Sequence, residues 1–303
     1  MMRTEPVPIV TVCSPLSRLR ALRHSMNLVR RLIACGYAGF ARVVACGFFC
    51  IPKKTRAGRR FYQAMFPERG AVIHLLCVFR QFQNFTTIHA DRFRVSLGLE
   101  AAFLSDGLER LERALAEGRG AILLMSHLGN WEMAARILVR HIPNTRLLLF
   151  MGEKEREGVE RAQKDSLRRE GVAIIALGRD QDDPFPAIDG LRLLRAGGVV
   201  SMAGDVVWRR DQRAIEVDFF AGRLRLPEAP FAFALVSGAP IFAFFAFRAG
   251  ANRYHFRLSP AIEVQAASRA DRKVAMREAA RRYAALLAEA VRSHPFEWYH
   301  FDA

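Results

Sequence analysis

Residues 120–125, Gly-Ala-Ile-Leu-Leu-Met, make an apolar run as long as a buried strand, set off by Gly118 and Gly120. Directly behind it, residues 131–140 carry Met133, Ala134, Ile137 and Leu138 at the spacing of a helix with one apolar face. A buried strand that passes at once into such a helix is the repeating unit of a parallel sheet, since parallel strands need long crossovers. The pattern recurs. Residues 146–150, 172–176 and 199–203 read as strands, with a charged helix over 155–169 between the first two. Residues 239–247 and 253–258 read as two later strands, and 272–291 as a long helix. Ahead of the first unit, 72–92 and 108–115 have helical spacing; Leu75, Leu76, Val78, Phe79, Phe82 and Phe85 form a core-facing stripe on the former. The alternation predicts an α/β fold, a mostly parallel central sheet flanked by helices, with no linker dividing residues 55–303.

The turn that joins the first strand to its helix, Ser-His-Leu-Gly-Asn-Trp-Glu at 126–132, concentrates the chemistry. Asn130 suits the N-cap of the helix. His127 then sits just past the strand end, and Glu132 lies in the first turns of the helix, on the face where α/β sheets bind ligands. Five residues rotate by about 140° on a continuous helix, so the two could not share a helical face. With His127 in the turn, the Glu132 carboxylate can reach one imidazole nitrogen and leave the other to take a proton. A chance His-x-x-x-x-Glu match is most often a surface pair. Here the strand before, the helix after and the small Gly129 between them favour a site.

Charge and cysteine usage narrow the class. The net charge is +16, and through Arg60 there are twelve Lys/Arg against one acid, Glu5. Those cations bracket an apolar stretch, residues 32–51, interrupted only by Arg42. Arg18, Arg20, Arg23, Arg30 and Arg31 precede it, and Lys53, Lys54, Arg56, Arg59 and Arg60 follow. This is the pattern of a membrane anchor held to an anionic surface, either a tilted span or an interfacial helix. A nucleic-acid reader would interleave its basic residues with polar and aromatic ones, so no nucleic-acid partner is expected. Nor is the stretch a secretory signal, since Pro52-Lys53-Lys54 makes no cleavage site. Residues 1–54 are therefore expected to be a basic, membrane-associated helical segment. The five cysteines, Cys13, Cys35, Cys46, Cys50 and Cys77, form no Cys-x-x-Cys pair and imply a reducing compartment and no zinc. No Gly-rich phosphate loop and no Gly-x-Ser-x-Gly elbow occurs.

The hexapeptide His127-Leu128-Gly129-Asn130-Trp131-Glu132 resembles the signature of the lipid A biosynthesis (lauroyl/myristoyl) acyltransferase family, within the wider glycerolipid and lysophospholipid acyltransferases. Further blocks resemble that family in order: Phe-Pro-Glu at 66–68, Met202-Ala203-Gly204-Asp205, Phe219-Phe220-Ala221-Gly222, Leu226-Pro227-Glu228-Ala229-Pro230, Gly238-Ala239-Pro240 and the closing segment at 295–301. The resemblance spans roughly residues 55–303 and departs at Val206, where the family commonly has Gln. It implies a glycerolipid acyltransferase-like fold and an O-acyltransferase that uses an acyl-carrier-protein or acyl-coenzyme A thioester, with no cofactor. The acceptor it implies is a hydroxyl of a lipid A precursor-like glycolipid or a lysophospholipid, at the cytoplasmic face of the bacterial inner membrane in lipopolysaccharide-type biosynthesis. It implies His127 as general base and Glu132 as its orienting acid. Asn130, Arg168 and Asp205 are implied as substrate-binding, with Arg168, or else Arg161 or Lys164, on an anionic group of the acceptor. The alternative is a non-catalytic membrane or nucleic-acid binding protein on a degenerate scaffold of the same kind.

Overall fold

The computed structural model describes residues 15–99, 101–142, 146–152, 173–177, 185–208, 211–251 and 253–299. Its strands are β1 (Ala102–Asp106), β2 (Ala121–Gly129), β3 (Leu147–Gly152), β4 (Ala173–Leu177), β5 (Val199–Ala203), β6 (Ala214–Phe219), β7 (Gly222–Pro227), β8 (Ile241–Gly250) and β9 (Arg253–Leu258). Seven of them form one sheet in the order β1-β9-β8-β2-β5-β3-β4. All neighbours in it are parallel except β8 and β9, which turn back on each other through Gly250. The expected α/β fold with a mostly parallel sheet is what the chain forms.

Strand β2 lies in the middle of this sheet, and its residues alternate between two cores. Ile122 and Leu124 join Val200, Met202, Ala243 and Phe245 on one face. Leu123 and Met125 join Val199, Phe242 and Phe244 on the other. Both faces are covered by helices, so both phases of the strand are apolar and the sequence reads as an unbroken run. Helices α4 (Leu108–Ala116) and α5 (Trp131–His141) pack on the second face. Helix α6 (Phe185–Arg195) supplies Leu194 to the first face, and α7 (Ala229–Ser237) and α8 (Arg272–Ser293) cover it further with Phe231, Ala280, Tyr283 and Leu287.

Not read in the sequence were β1, both strands of the β6–β7 hairpin, α6 and α7. Strand β1 is an edge strand, exposed at four of its five positions, so no apolar alternation marks it. Helix α7, Ala-Pro-Phe-Ala-Phe-Ala-Leu-Val-Ser, is apolar on almost every side, so it has no helical period to detect. The hairpin closes through Phe220-Ala221, with Phe220 in the left-handed region at φ 52°. The helix expected over 155–169 lies outside the described residues.

Ahead of the sheet, α1 (Pro15–Phe49), α2 (Pro52–Met65) and α3 (Ala71–Ser96) form a helical layer. Residues 28–49 of α1 are long and apolar enough to cross a membrane by length and composition. Helix α1 runs antiparallel to α3: Tyr37 stacks on Phe93 at 4.4 Å between ring centroids, and Phe49 meets Phe79 at 5.5 Å. The expected stripe on α3 divides, with Val78 and Phe82 buried beside Ala45 and Tyr62 and Leu76 left exposed. The change of sequence character at residues 54 and 55 falls inside α2.

The fully buried Tyr62 of α2 donates its hydroxyl hydrogen to the Pro295 carbonyl at 2.9 Å, which ties the helical layer to the segment after α8. Tyr62→Phe keeps the ring and strands that carbonyl, so urea unfolding should show a loss of about 1–2 kcal/mol. Unchanged stability would mean the link contributes nothing.

Candidate active site

His127 is the seventh residue of β2, and Asp205 follows the end of β5, the parallel neighbour of β2. The topology therefore places both side chains at the carboxyl edge of the sheet centre, where a ligand crevice is expected. The Asp205 carboxylate is fully buried and, among the described residues, is met by the N–H groups of His127 and Trp298. The His127 peptide N–H donates to Oδ2 at 2.8 Å, the Trp298 indole to Oδ2 at 2.9 Å, and the His127 ring contacts Oδ1 through Nδ1 at 3.0 Å. A carboxylate only accepts, so Nδ1 carries the hydrogen and the lone pair of the neutral ring falls on Nε2. The imidazole is 30% exposed, and the Trp208 ring stands 6.0 Å away, centroid to centroid. A ring held at one nitrogen by a buried acid and reachable from outside is arranged for proton transfer.

Three backbone devices hold this geometry. Gly129 sits at φ 75°, and a Cβ there would come within 2.0 Å of the Ala246 carbonyl oxygen of β8. Only glycine lets the strand bend sharply at that contact. Gly204 donates its N–H to the Met125 carbonyl at 2.7 Å, and a Cβ on it would lie 2.5 Å from the Tyr283 hydroxyl. Residues 297–299 run antiparallel to the turn: Gly129 donates to the Glu297 carbonyl and Tyr299 to the His127 carbonyl, each at 2.8 Å, around a Leu128–Trp298 bridge. Trp298 is wedged against Phe61 and Phe219, and the Gln81 amide donates to its carbonyl.

The other expected residues take different places. The contact with the imidazole expected of Glu132 from the sequence is made by Asp205, which occupies Nδ1. Glu132, in the first turn of α5, forms a buried ion pair with Arg92 of α3, Nε to Oε2 at 2.9 Å. Asp205, expected to bind substrate, is fully buried behind the imidazole. Asn130 is likewise fully buried; its side-chain oxygen accepts from Met133 N–H as the N-cap of α5, and its amide donates to Tyr254 at 3.0 Å. From there Tyr254 donates to Asp91 at 2.9 Å, Arg248 Nε donates to Asp91 at 2.7 Å, and the Arg248 peptide N–H donates to Glu297 at 3.0 Å. This network clamps α3, β8, β9 and the 297–299 segment around the turn. Arg168, Arg161 and Lys164 lie outside the described residues. Sequence reading missed the site roles of Trp298 and Arg92; the only signal for the first was the Pro-x-x-Trp block that holds it.

Comparison with known proteins places the chain in a family. The family model for bacterial lipid A biosynthesis acyltransferase matches residues 48–302. The chain is 28% identical over 204 residues to a phosphatidylinositol mannoside acyltransferase of Mycobacterium tuberculosis (strain ATCC 25618 / H37Rv), covering 64% of this chain and 57% of that protein. It is 30% identical over 144 residues to a phosphatidylinositol mannoside acyltransferase of Mycolicibacterium smegmatis, covering 45% of this chain and 42% of that protein. The matches thus cover between 42% and 57% of the curated relatives' length, so the chain spans about half of them.

Burial pushes the Glu297 carboxyl up to about 7, against a partial pull downward from Arg248. Its folded value lies above the unfolded one, so its contribution to stability is present below about pH 4.5 and is lost as pH rises through about 7. That window corresponds to roughly 3 kcal/mol. Glu297→Gln keeps the shape and removes the titration. Urea unfolding at pH 5 and pH 8 should show the variant gaining on wild type by about 2–3 kcal/mol at the higher pH; parallel pH dependences would refute the shift.

Proposed function

The chain belongs to the bacterial lipid A biosynthesis acyltransferase family, and from that premise we propose that it transfers a fatty acyl group from a thioester to a hydroxyl of a membrane glycolipid. The observation that carries the reading is the His127 ring, held through Nδ1 by the buried Asp205 at the end of the central strand. His127 Nε2 removes the proton of the acceptor hydroxyl as its oxygen attacks the thioester carbonyl. Asp205 keeps the ring in the reactive tautomer and stabilises the imidazolium that forms. When the tetrahedral intermediate collapses, the carbon–sulfur bond breaks and the imidazolium returns its proton to the departing thiolate. An ester and a free thiol result, and neither metal nor nucleotide is needed because the acyl group arrives activated.

The donor is an acyl-carrier-protein or coenzyme A thioester; both are anionic and suit a chain of net charge +16. For the acceptor, the mannoside acyltransferases to which the chain is similar favour a glycolipid with an anionic headgroup. Arg168 remains part of this proposal as the group that holds the acceptor's anion. The apolar helix with basic flanks supports association with an anionic membrane; the cytoplasmic face of a bacterial inner membrane and a place in lipopolysaccharide-type lipid biosynthesis complete the proposal on the strength of the family alone.

The test is acyl transfer from both thioester classes to extracted bacterial glycolipids, followed by thiol release and mass spectrometry of the lipids. His127→Ala should lower turnover by about 10²–10⁴ with the fold intact. Asp205→Asn should fall in the same range. Trp298→Phe, which removes one donor to Asp205, should lose less. Turnover by His127→Ala at the wild-type rate would end the mechanism, and a wild-type protein that binds lipid without turnover would favour a binding role.

A further inference from the structure

Between Leu28 and Phe49, the side of α1 that faces away from the protein is apolar. Ala34, Ala41 and Ala45 are buried and mark the inward side. At about 100° per residue, Leu32, Gly36, Phe40, Val43 and Gly47 fall within roughly 60° of the opposite direction. Leu32, Phe40 and Val43 are 63%, 64% and 69% exposed, and a Cβ at Gly36 or Gly47 would meet nothing within 4 Å. Arg31 and Arg42, both exposed, lie together on one flank, about 60–80° from the inward side. Arg42 is therefore near the middle of the 28–49 stretch and not at an end, as a span would require.

The register with α3 decides how such a helix can meet a bilayer. Tyr37 lies on Phe93, and Gln83 reaches the Arg42 carbonyl and Cys46, so the middle of α1 is level with Asp91 and Arg92. Asp91 is buried against Arg248 of β8, and Arg92 is paired with Glu132 beside the catalytic turn. A spanning α1 would carry these charged pairs, and the sheet behind them, to the depth of the hydrocarbon centre. The face of α3 that holds α1 also continues past Phe49 through Val72 and Leu76, 69% and 58% exposed.

Resting on the membrane association proposed above, we infer that α1 lies flat in one leaflet. Its Leu32–Phe40–Val43 face sits among the acyl chains, and Arg31 and Arg42 reach the phosphates of anionic lipids. The flank charges and the cationic segments on either side of residues 32–51 commit the surface to an anionic bilayer in preference to a second copy of the chain. The consequence is that His127 works at the level of the headgroups, where a glycolipid hydroxyl can be reached without leaving the membrane.

The experiment places a nitroxide at Leu32→Cys, Phe40→Cys or Gly47→Cys in the full chain, with Cys77 changed to alanine and the other native cysteines to serine. Binding to vesicles of phosphatidylcholine and phosphatidylglycerol is read by flotation, and depth by collision with polar and apolar relaxants. The expected result is flotation with all three labels at one shallow depth, about 5–10 Å below the headgroups. Flotation with Phe40→Cys about 10 Å deeper than the other two would show a span; that would overturn this inference and leave membrane association standing. A chain that does not float overturns both, and a dimer by light scattering would then assign the face to a second copy. In the native-cysteine background, Arg31→Gln with Arg42→Gln should weaken binding to phosphatidylglycerol vesicles about thirtyfold and leave pure phosphatidylcholine unaffected. Equal binding to both would also overturn the inference.

Discussion

A fully buried carboxylate met by the N–H groups of His127 and Trp298 is the constraint around which this molecule is arranged. Burying an ionised group is costly unless hydrogen bonds replace its water. For Asp205 the replacements come from two distant places: the peptide and ring of His127, and the indole of Trp298. Each donor then needs its own support. The His127 peptide is aimed by the bend at Gly129, and the indole by packing against Phe61 and Phe219 and by the Gln81 amide. The helical layer is thereby part of the candidate active site, because α2 supplies Phe61 and α3 supplies Gln81.

The second polar system, from Asn130 through Tyr254 and Asp91 to Arg248 and Glu297, solves a neighbouring problem. It fixes the start of α5 and the 297–299 segment relative to one another without touching the imidazole. Satisfied networks of this kind specify one arrangement of the elements they join. Glu132 and Arg92 belong with this outer framework: their pair joins α5 to α3 beside the turn. A residue in the motif next to the histidine can thus be required at the site while a carboxylate elsewhere in the chain holds the ring.

The sequence made the strand, the turn and the helix around His127 legible because each is a local pattern, apolar run then helical period. The partner of the imidazole was not legible in the same way. Glu132 is five residues away and Asp205 is separated by 78, and choosing between them requires knowing that β5 lies beside β2. That adjacency follows from the order of the sheet, which periodicity does not encode. Trp298 is a harder case, 93 residues from Asp205 and in a segment without regular structure before its bridge to Leu128. The apolar stripe on α3 was visible, but that Leu76 would be exposed while Phe82 was buried depended on where α1 ends.

The short bridge between residues 127–129 and 297–299 also bears on how the protein comes to be made. Its two sides are about 170 residues apart in the chain, and contacts of such long range form late and slow folding, since the intervening loop must be closed first. During synthesis from the amino end, α1 emerges long before residues 297–299 exist. A chain already held at a lipid surface by its first described helix would still have Asp205 without its indole donor and the turn without its antiparallel partner. The capacity to move a proton at His127 would then be acquired last, after the protein has reached the place where it works.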